Sequence, residues 1–374
     1  MADGSGIQWT NATWNIVTGC SVKSAGCKNC YAMKLAGGRL RHIPSREGLT
    51  VETKNGPVWN GEVRFNAEWL DQPLRWKRPR RIFVCAHGDL FHENVPPDWI
   101  DRVFSVMAVA KQHQFQVLTK RSDRMRDYLR RRAGRGGGAF CRVRDDRNLG
   151  RVECKMHWDM PLPNVWLGVS VENQETADER IPDLMETPAA IRWISLEPAL
   201  RPVDLSAWVP SVTVPNCRHI DQPEMRALFF AAARDIRHER HPERPGLDWI
   251  VAGGESGPNA RPGVDANHYR ALRDLSAAGM VPFFFKQWGR WWIAESAPDA
   301  NRHGLPLVFP DGETFEVCSD ATDIILSGAQ DHRGAPLRLW RQYYASGDGR
   351  LMRKAQAGDD LPLLDGVRHG AFPA

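Results

Sequence analysis

The chain reads as an α/β protein, a full or partial β/α (TIM-like) barrel carrying two insertions and a C-terminal extension. Three observations predict this. Short, nearly continuous apolar runs rich in Val, Ile and Phe recur up to Trp288, and such runs mark strands buried on both faces. Amphipathic stretches fit between several of them, so the strands are expected to be parallel and joined by right-handed crossovers. Polar residues recur just past the C-terminal end of each run, which in a β/α barrel is where sites are built.

A first strand is placed near Ile7 to Val17. The next are Ile82–Ala86, Phe115–Thr119, Val165–Ser170, Ile191–Leu196, Trp249–Gly253 and Val281–Phe285. Helical periodicity spans Trp99–Gln112 and His268–Ala278. The polar series at the strand ends is Cys20; His87, Gly88 and Asp89; Lys120 and Arg121; Ser170 and Glu172; Glu197; Gly253 to Gly257; and Lys286 with Gln287. Any one of these fits a helix cap or turn residue, but seven sets facing one mouth read as an active site. Residues 1–288 are assigned to the barrel and 289–374 to an extension packed on it.

Composition is that of an ordinary globular protein, with 25% charged and 42% apolar residues. No apolar stretch is long enough to span a bilayer. Met1 to Gln8 is small and polar rather than an export signal, so a cytoplasmic location is expected and disulfides are disfavoured. A net charge of +5 gives mild affinity for polyanions. The 15 tryptophans are expected mainly in the core and rim.

Cys20, Cys27 and Cys30 fall within eleven residues. Thiolates are soft ligands, and three on one loop suit a single metal centre. Four would close a tetrahedral zinc site, whereas three leave one position of a cubic iron–sulfur cluster open to substrate or cofactor. A zinc site with a distant fourth ligand, or a disulfide with a spare thiol, are the other readings.

The cysteine loop, Trp249 to Gly257 and Phe284 to Gly289 together resemble the phage Gp37/Gp68 family, also called the three-Cys-motif family. Ser195-Leu196-Glu197-Pro198 and the tail Leu364-Asp365-Gly366 with Pro373 fit the same pattern. That family is similar to radical S-adenosylmethionine enzymes. The resemblance implies a 4Fe–4S cluster on Cys20, Cys27 and Cys30, whose fourth iron holds the amino and carboxylate groups of S-adenosylmethionine. It implies an electron donor such as flavodoxin or ferredoxin, and it leaves open whether a partner protein is required. Six residues separate the first two cysteines here, where three are usual in those enzymes.

Chemistry suggests roles at the mouth. Lys120 or Arg121 suits the methionyl carboxylate, and Asp89, Glu172 or Ser170 the ammonium or ribose hydroxyls. Gly253 and Gly254 let a ligand approach the backbone. Glu255 is a candidate for ribose or substrate contact, and Lys286 with Gln287 for substrate phosphate or base, or for closing the barrel. Glu255 and Lys286 are the catalytic candidates.

The first insertion, about 124–164, holds Arg130, Arg131, Arg132 and Arg135 and further arginines to Arg151, the footprint expected for nucleic-acid phosphates. The second, about 206–246, includes a helical stretch near Glu224 to His238. Cys141, Cys154 and His157, with Cys217 and His219, suggest a zinc site built from both insertions. Cys85 reads as a core thiol. In the extension, a hairpin is expected at Leu307–Val317 around Pro310-Asp311-Gly312 and a helix at Leu337–Tyr344.

The functional expectation is a radical S-adenosylmethionine-type enzyme acting on DNA or a nucleotide-like substrate, in modification or repair. The alternatives are a nucleic-acid-binding protein with a structural zinc or iron–sulfur site, and a hydrolase using the mouth carboxylates.

Overall fold

A computed structural model describes residues 5–133, 160–209, 246–289 except 258, 262 and 265, and 369–373. It also describes the backbone of strands at 138–143, 152–157, 291–293, 306–308, 314–320, 323–330, 336–339 and 350–354. Seven parallel strands form a curled half-barrel, an α/β fold of the partial TIM-like kind. They are β1 (Ala12–Trp14), β2 (Arg81–Val84), β3 (Gln114–Thr119), β4 (Val165–Val171), β5 (Ile191–Leu196), β6 (Trp249–Gly253) and β7 (Phe283–Gln287). Their order in the sheet follows their order in the chain, and β1 and β7 are left at the two edges. The barrel is therefore partial rather than full.

Helices α1 (Tyr31–Gly37), α2 (Pro97–Val109), α3 (Ser122–Ala133), α4 (Gln174–Glu186) and α5 (Ala266–Ala278) occupy the connections. Pro97 opens α2 where no intrahelical N–H is needed. A reciprocal capping box between Asn173 and Thr176 starts α4. Strand alternation sorts the core into two parts. Ile82, Val84, Val117, Leu167, Val169, Ile194, Ile250 and Phe285 point outward into the larger hydrophobic core, which includes residues of the helices. Phe83, Trp166, Trp193, Trp249, Val251 and Phe284 point inward and join Trp9 in an aromatic cluster that fills the base of the half-barrel. Ring centroids lie 5.3 Å apart for Trp9 and Trp193 and 5.1 Å for Trp193 and Trp249. The tryptophans of this cluster are thus core residues, as expected.

Residues 369–373 close the β7 edge. Phe285 N donates to His369 O and Ala371 N to Phe283 O, while Trp249 Nε1 donates to Ala371 O. Phe372 packs on Trp249 and Phe284, and the Arg81 guanidinium sits 3.7 Å from its ring centroid.

Several expectations shift. Residues 124–133 belong to α3, so the first insertion begins later than 124. It contains an antiparallel hairpin of Gly138–Val143 and Val152–His157. The first strand is shorter than Ile7–Val17, and β7 runs two residues further than expected, taking in Lys286 and Gln287. The hairpin at 307–317 is present, with Leu307 opposite Phe315. Of the helix expected at 337–344, residues 337–339 instead belong to the strand Pro336–Leu339, paired with Asp323–Gln330, and 340–344 lie outside the described residues. A cross-strand partner outweighs local helical preference there. The helix near 224–238 lies outside the described residues, as do Cys217 and His219.

Gly168 lies under the Trp193 indole, where an added Cβ would stand 2.5 Å from the ring. Gly168→Ala is expected to lower stability by about 1–3 kcal/mol through overpacking, read from urea unfolding midpoints. An unchanged midpoint would show that the indole moves aside freely.

Candidate functional site

The cysteine loop runs from the end of the first strand segment to the start of α1. Gly19 begins it at φ +94°, with a Cβ position only 2.1 Å from Glu62 O, so no side chain fits. Gly19 N donates to His87 O, which ties the loop to the turn after β2. Cys20, Cys27 and Cys30 are all free thiols. All three line one cavity of about 250 Å³ at the barrel mouth, with Asp89, Lys120, Arg121, Ser170, Glu197, Glu255 and Lys286 on its walls.

Two buried carboxylates anchor the loop. Glu172, one residue past β4, is fully buried. It accepts from Ser24 Oγ at 2.6 Å, Gly26 N at 2.9 Å and Lys120 Nζ, with Arg180 3.6 Å away. A Cβ on Gly26 would stand 2.6 Å from the Glu172 carboxyl carbon, so glycine is required. Burial alone would raise the Glu172 pKa, but Lys120 and these hydrogen bonds hold it below the usual glutamate value. Glu255 anchors the other side. Its Oε2 accepts from Asn29 Nδ2 at 2.9 Å, and Arg261 grips both its oxygens from Nε and Nη2 while donating to Ala25 O. Burial raises and Arg261 lowers its pKa, with the lowering dominant.

Asp89 organises the third wall. Its oxygens accept from Thr119 Oγ1, Phe91 N, Lys120 N and Arg121 Nη1. Arg121 extends to Glu93, Ser21 Oγ and, at 3.5 Å, Cys20 Sγ. Burial pushes the bare Cys20 thiol up to about 12, with Asp89 adding to it and Arg121 opposing, and burial raises Cys30 likewise. Uncomplexed thiols at these positions stay protonated near neutrality, which disfavours a nucleophilic role. A bound metal would deprotonate them.

On the remaining wall, Lys286 Nζ stands 2.9 Å from Glu197 Oε1. The glycines beside this pair serve the sheet. A Cβ at Gly254 would lie 1.9 Å from Trp288 O, and Gly254 N donates to Gln287 O. Close backbone approach of β6 to β7 accounts for that glycine, which also lines the cavity.

The structure therefore brings together the three cysteines, Asp89, Lys120, Arg121, Ser170, Gly254, Glu255 and Lys286. Glu172 and Gly253 stand just behind the lining. Arg130, Arg131 and Arg132 are elsewhere. They end α3, which starts at the mouth beside Arg121 and runs about 18 Å toward the opposite end of the barrel. Arg130 pairs with Glu186, and Arg132 with Asp101. Arg135 lies outside the described residues. Sequence reasoning missed Ser24, Gly26, Asn29 and Arg261 as loop anchors. Position between two cysteines was the available signal for Asn29; none marked Arg261.

Among the described residues, no three His, Cys, Asp or Glu side chains converge closely enough for a single metal ion. A cubic cluster takes its cysteines on separate irons, and three free thiols around one cavity fit that donor set. In the first insertion, Cys141 pairs in register with Cys154, and His157 with Gly138. No helix among the described residues is long and apolar enough to cross a membrane.

Fold and site define an α/β half-barrel with a three-cysteine mouth. The chain belongs to the family of proteins of unknown function DUF5131, whose profile matches residues 4–373. No curated protein matches it. Among solved structures, a mutant of spore photoproduct lyase is similar at 9% identity and a TM-score of 0.34, covering 92% of this chain and 72% of that one. Spore photoproduct lyase complexed with dinucleoside spore photoproduct is similar at 10% identity and a TM-score of 0.35, covering 93% and 73%. Likeness at this level carries no functional argument.

The depressed Glu172 carboxyl predicts a sign. A carboxylate with a lowered folded-state pKa contributes stability at neutral pH that is lost as pH falls below its ordinary value of 4.5. Glu172→Gln is expected to melt lower than the native chain at pH 7, with the gap narrowing as pH falls through that range. Parallel melting curves across pH would contradict the ion-paired state.

Proposed function

We propose that this protein is a radical S-adenosylmethionine-type iron–sulfur enzyme acting on DNA or a nucleotide-like substrate. The observation that carries the reading is three free thiols from one anchored loop, lining a single cavity whose other walls hold paired cations and carboxylates. Cys20, Cys27 and Cys30 would ligate the cluster. With S-adenosylmethionine bound, a reduced cluster supplies a 5′-deoxyadenosyl radical, and the protein's task is to position and shield it.

The chain's own groups divide that task. Lys120 and Arg121 are the candidates for the methionyl carboxylate, and Ser170 for the ammonium or a ribose hydroxyl. Asp89 spends its oxygens on Thr119, Phe91, Lys120 and Arg121, so it acts as a positioning residue for that pair. Glu172, Glu255 and Gly26 hold the loop. The aromatic base keeps water from the inner end of the cavity. A small electron donor such as flavodoxin or ferredoxin would reduce the cluster, consistent with a cytoplasmic enzyme. The nucleotide-like substrate is supported by the net charge of +5 and by Trp9 and Phe83 in the cavity lining, since aromatic rings are stacking surfaces for bases.

Anaerobic purification followed by iron and sulfide analysis tests the reading. Each of Cys20→Ala, Cys27→Ala and Cys30→Ala is expected to abolish cluster retention and 5′-deoxyadenosine release while leaving the fold melting cooperatively. Stoichiometric zinc without iron after reconstitution would replace the radical enzyme with a metal-stabilised nucleic-acid binder. Substrate turnover surviving without iron or S-adenosylmethionine would point to the hydrolase.

A further inference from the structure

Three glutamates follow neighbouring strand ends at the mouth: Glu172 after β4, just behind the cavity lining, Glu197 after β5 and Glu255 after β6. Two are committed to the cysteine loop through Ser24 and Gly26 or through Asn29 and Arg261. Glu197 makes no hydrogen bond to that loop. Its Oε2 accepts from Ser195 Oγ at 3.1 Å, and its Oε1 faces the Lys286 ammonium at 2.9 Å. Oε1 is shielded from solvent, so the carboxylate and the ammonium form an ion pair set into the cavity wall.

The Glu197–Lys286 pair spans an intervening strand. Lys286 is on β7 and Glu197 follows β5, with β6 between them. The register places Ser195 opposite Val251 and Leu196 opposite Ala252, so Gly253 is level with Glu197. A Cβ there would lie 3.1 Å from Glu197 Oε1. Gly253 thus leaves the lane through which the lysine reaches the carboxylate. Trp9, Phe83 and Leu118 line the same cavity and offer an apolar, largely aromatic surface. Asp89, Lys120 and Arg121 come from β2 and β3, at least two strands away across β4.

We propose that Glu197 and Lys286 read the hydrogen-bonding edge of a substrate nucleobase held against the Trp9–Phe83 surface. The carboxylate accepts a base N–H, and the ammonium donates to the adjacent base acceptor. Pairing of the two groups in the free protein limits the cost of burying either one. A planar ring with neighbouring donor and acceptor is chemistry that the adenine of S-adenosylmethionine shares. The assignment to substrate rests on the proposed function and on the separation of this wall from the Asp89, Lys120 and Arg121 wall.

The test uses the full chain, purified anaerobically, in equilibrium dialysis against dApdA, dCpdC, dGpdG, dTpdT and, separately, S-adenosylmethionine. Glu197→Gln and Lys286→Met are compared with the native chain, with iron content and melting temperature as folding controls. At least one dinucleotide is expected to bind the native chain. Each substitution should weaken that binding by about tenfold or more, leaving iron content and S-adenosylmethionine binding unchanged. Failure of every dinucleotide to bind, or equal binding by native and substituted chains, would overturn the proposal. Loss of S-adenosylmethionine binding alone would overturn it too, by giving the pair to the cofactor's adenine. Iron content and 5′-deoxyadenosine release judge the radical reading separately, so the two can fail independently.

Discussion

Everything at the mouth depends on two buried carboxylates that hold a loop with little core of its own. Between Cys20 and Cys30 only Cys27 and Asn29 are buried, while Val22, Lys23, Ala25 and Lys28 are exposed. Apolar burial therefore cannot fix this segment. Glu172 and Glu255 do so by accepting its backbone and side-chain donors, and each must be charge-paired because it lies in the protein interior. Lys120 and Arg261 supply the pairing. Breaking one partner of such a pair leaves an uncompensated buried charge, so damage to an anchor is expected to propagate to all three cysteines.

The rest of the half-barrel serves the same end by period. Along β4 the inward positions run Trp166, Gly168 and Ser170, with Glu172 next. Along β5 they run Trp193 and Ser195, with Glu197 next. Each strand thus passes from aromatic base to polar wall to carboxylate in steps of two. Gly168 is the exception that allows this, because the Trp193 indole occupies the space of its missing side chain. The base is largely aromatic, and the carboxylates gather at the mouth.

The sheet and the mouth were legible because they rest on period-two patterning and on one residue class recurring at strand ends. The three cysteines, Asp89, Lys120, Arg121, Ser170, Glu255 and Lys286 were all visible that way. What the sequence hid was direction. Nothing in Glu172 or Glu255 says that it turns toward the loop rather than a ligand, and Arg261 becomes relevant only once the turn after β6 folds back on Ala25. For the arginine run at 130–132, composition reports charge without position. It forms the last turn of α3, where Arg130 pairs with Glu186 and Arg132 with Asp101. Leu337–Leu339 fits a helical start by composition, yet it pairs with the strand just before it, Asp323–Gln330.

The balance of charge in the cavity bears on what it can hold. Among the lining residues, the cations Lys120, Arg121 and Lys286 meet the carboxylates Asp89, Glu197 and Glu255. The net charge of +5 is therefore not concentrated in the cavity, and its walls give a bare polyphosphate no net attraction. A ligand carrying both an ammonium and a carboxylate is different, since cationic and anionic groups stand within one small enclosure and each end can meet its complement. The methionyl end of S-adenosylmethionine is such a ligand. A nucleobase, neutral and planar, is the other kind that a charge-balanced, partly aromatic cavity can take without leaving a buried ion unpaired. Phosphates of a nucleic-acid substrate then belong outside the cavity, on surfaces away from these paired groups.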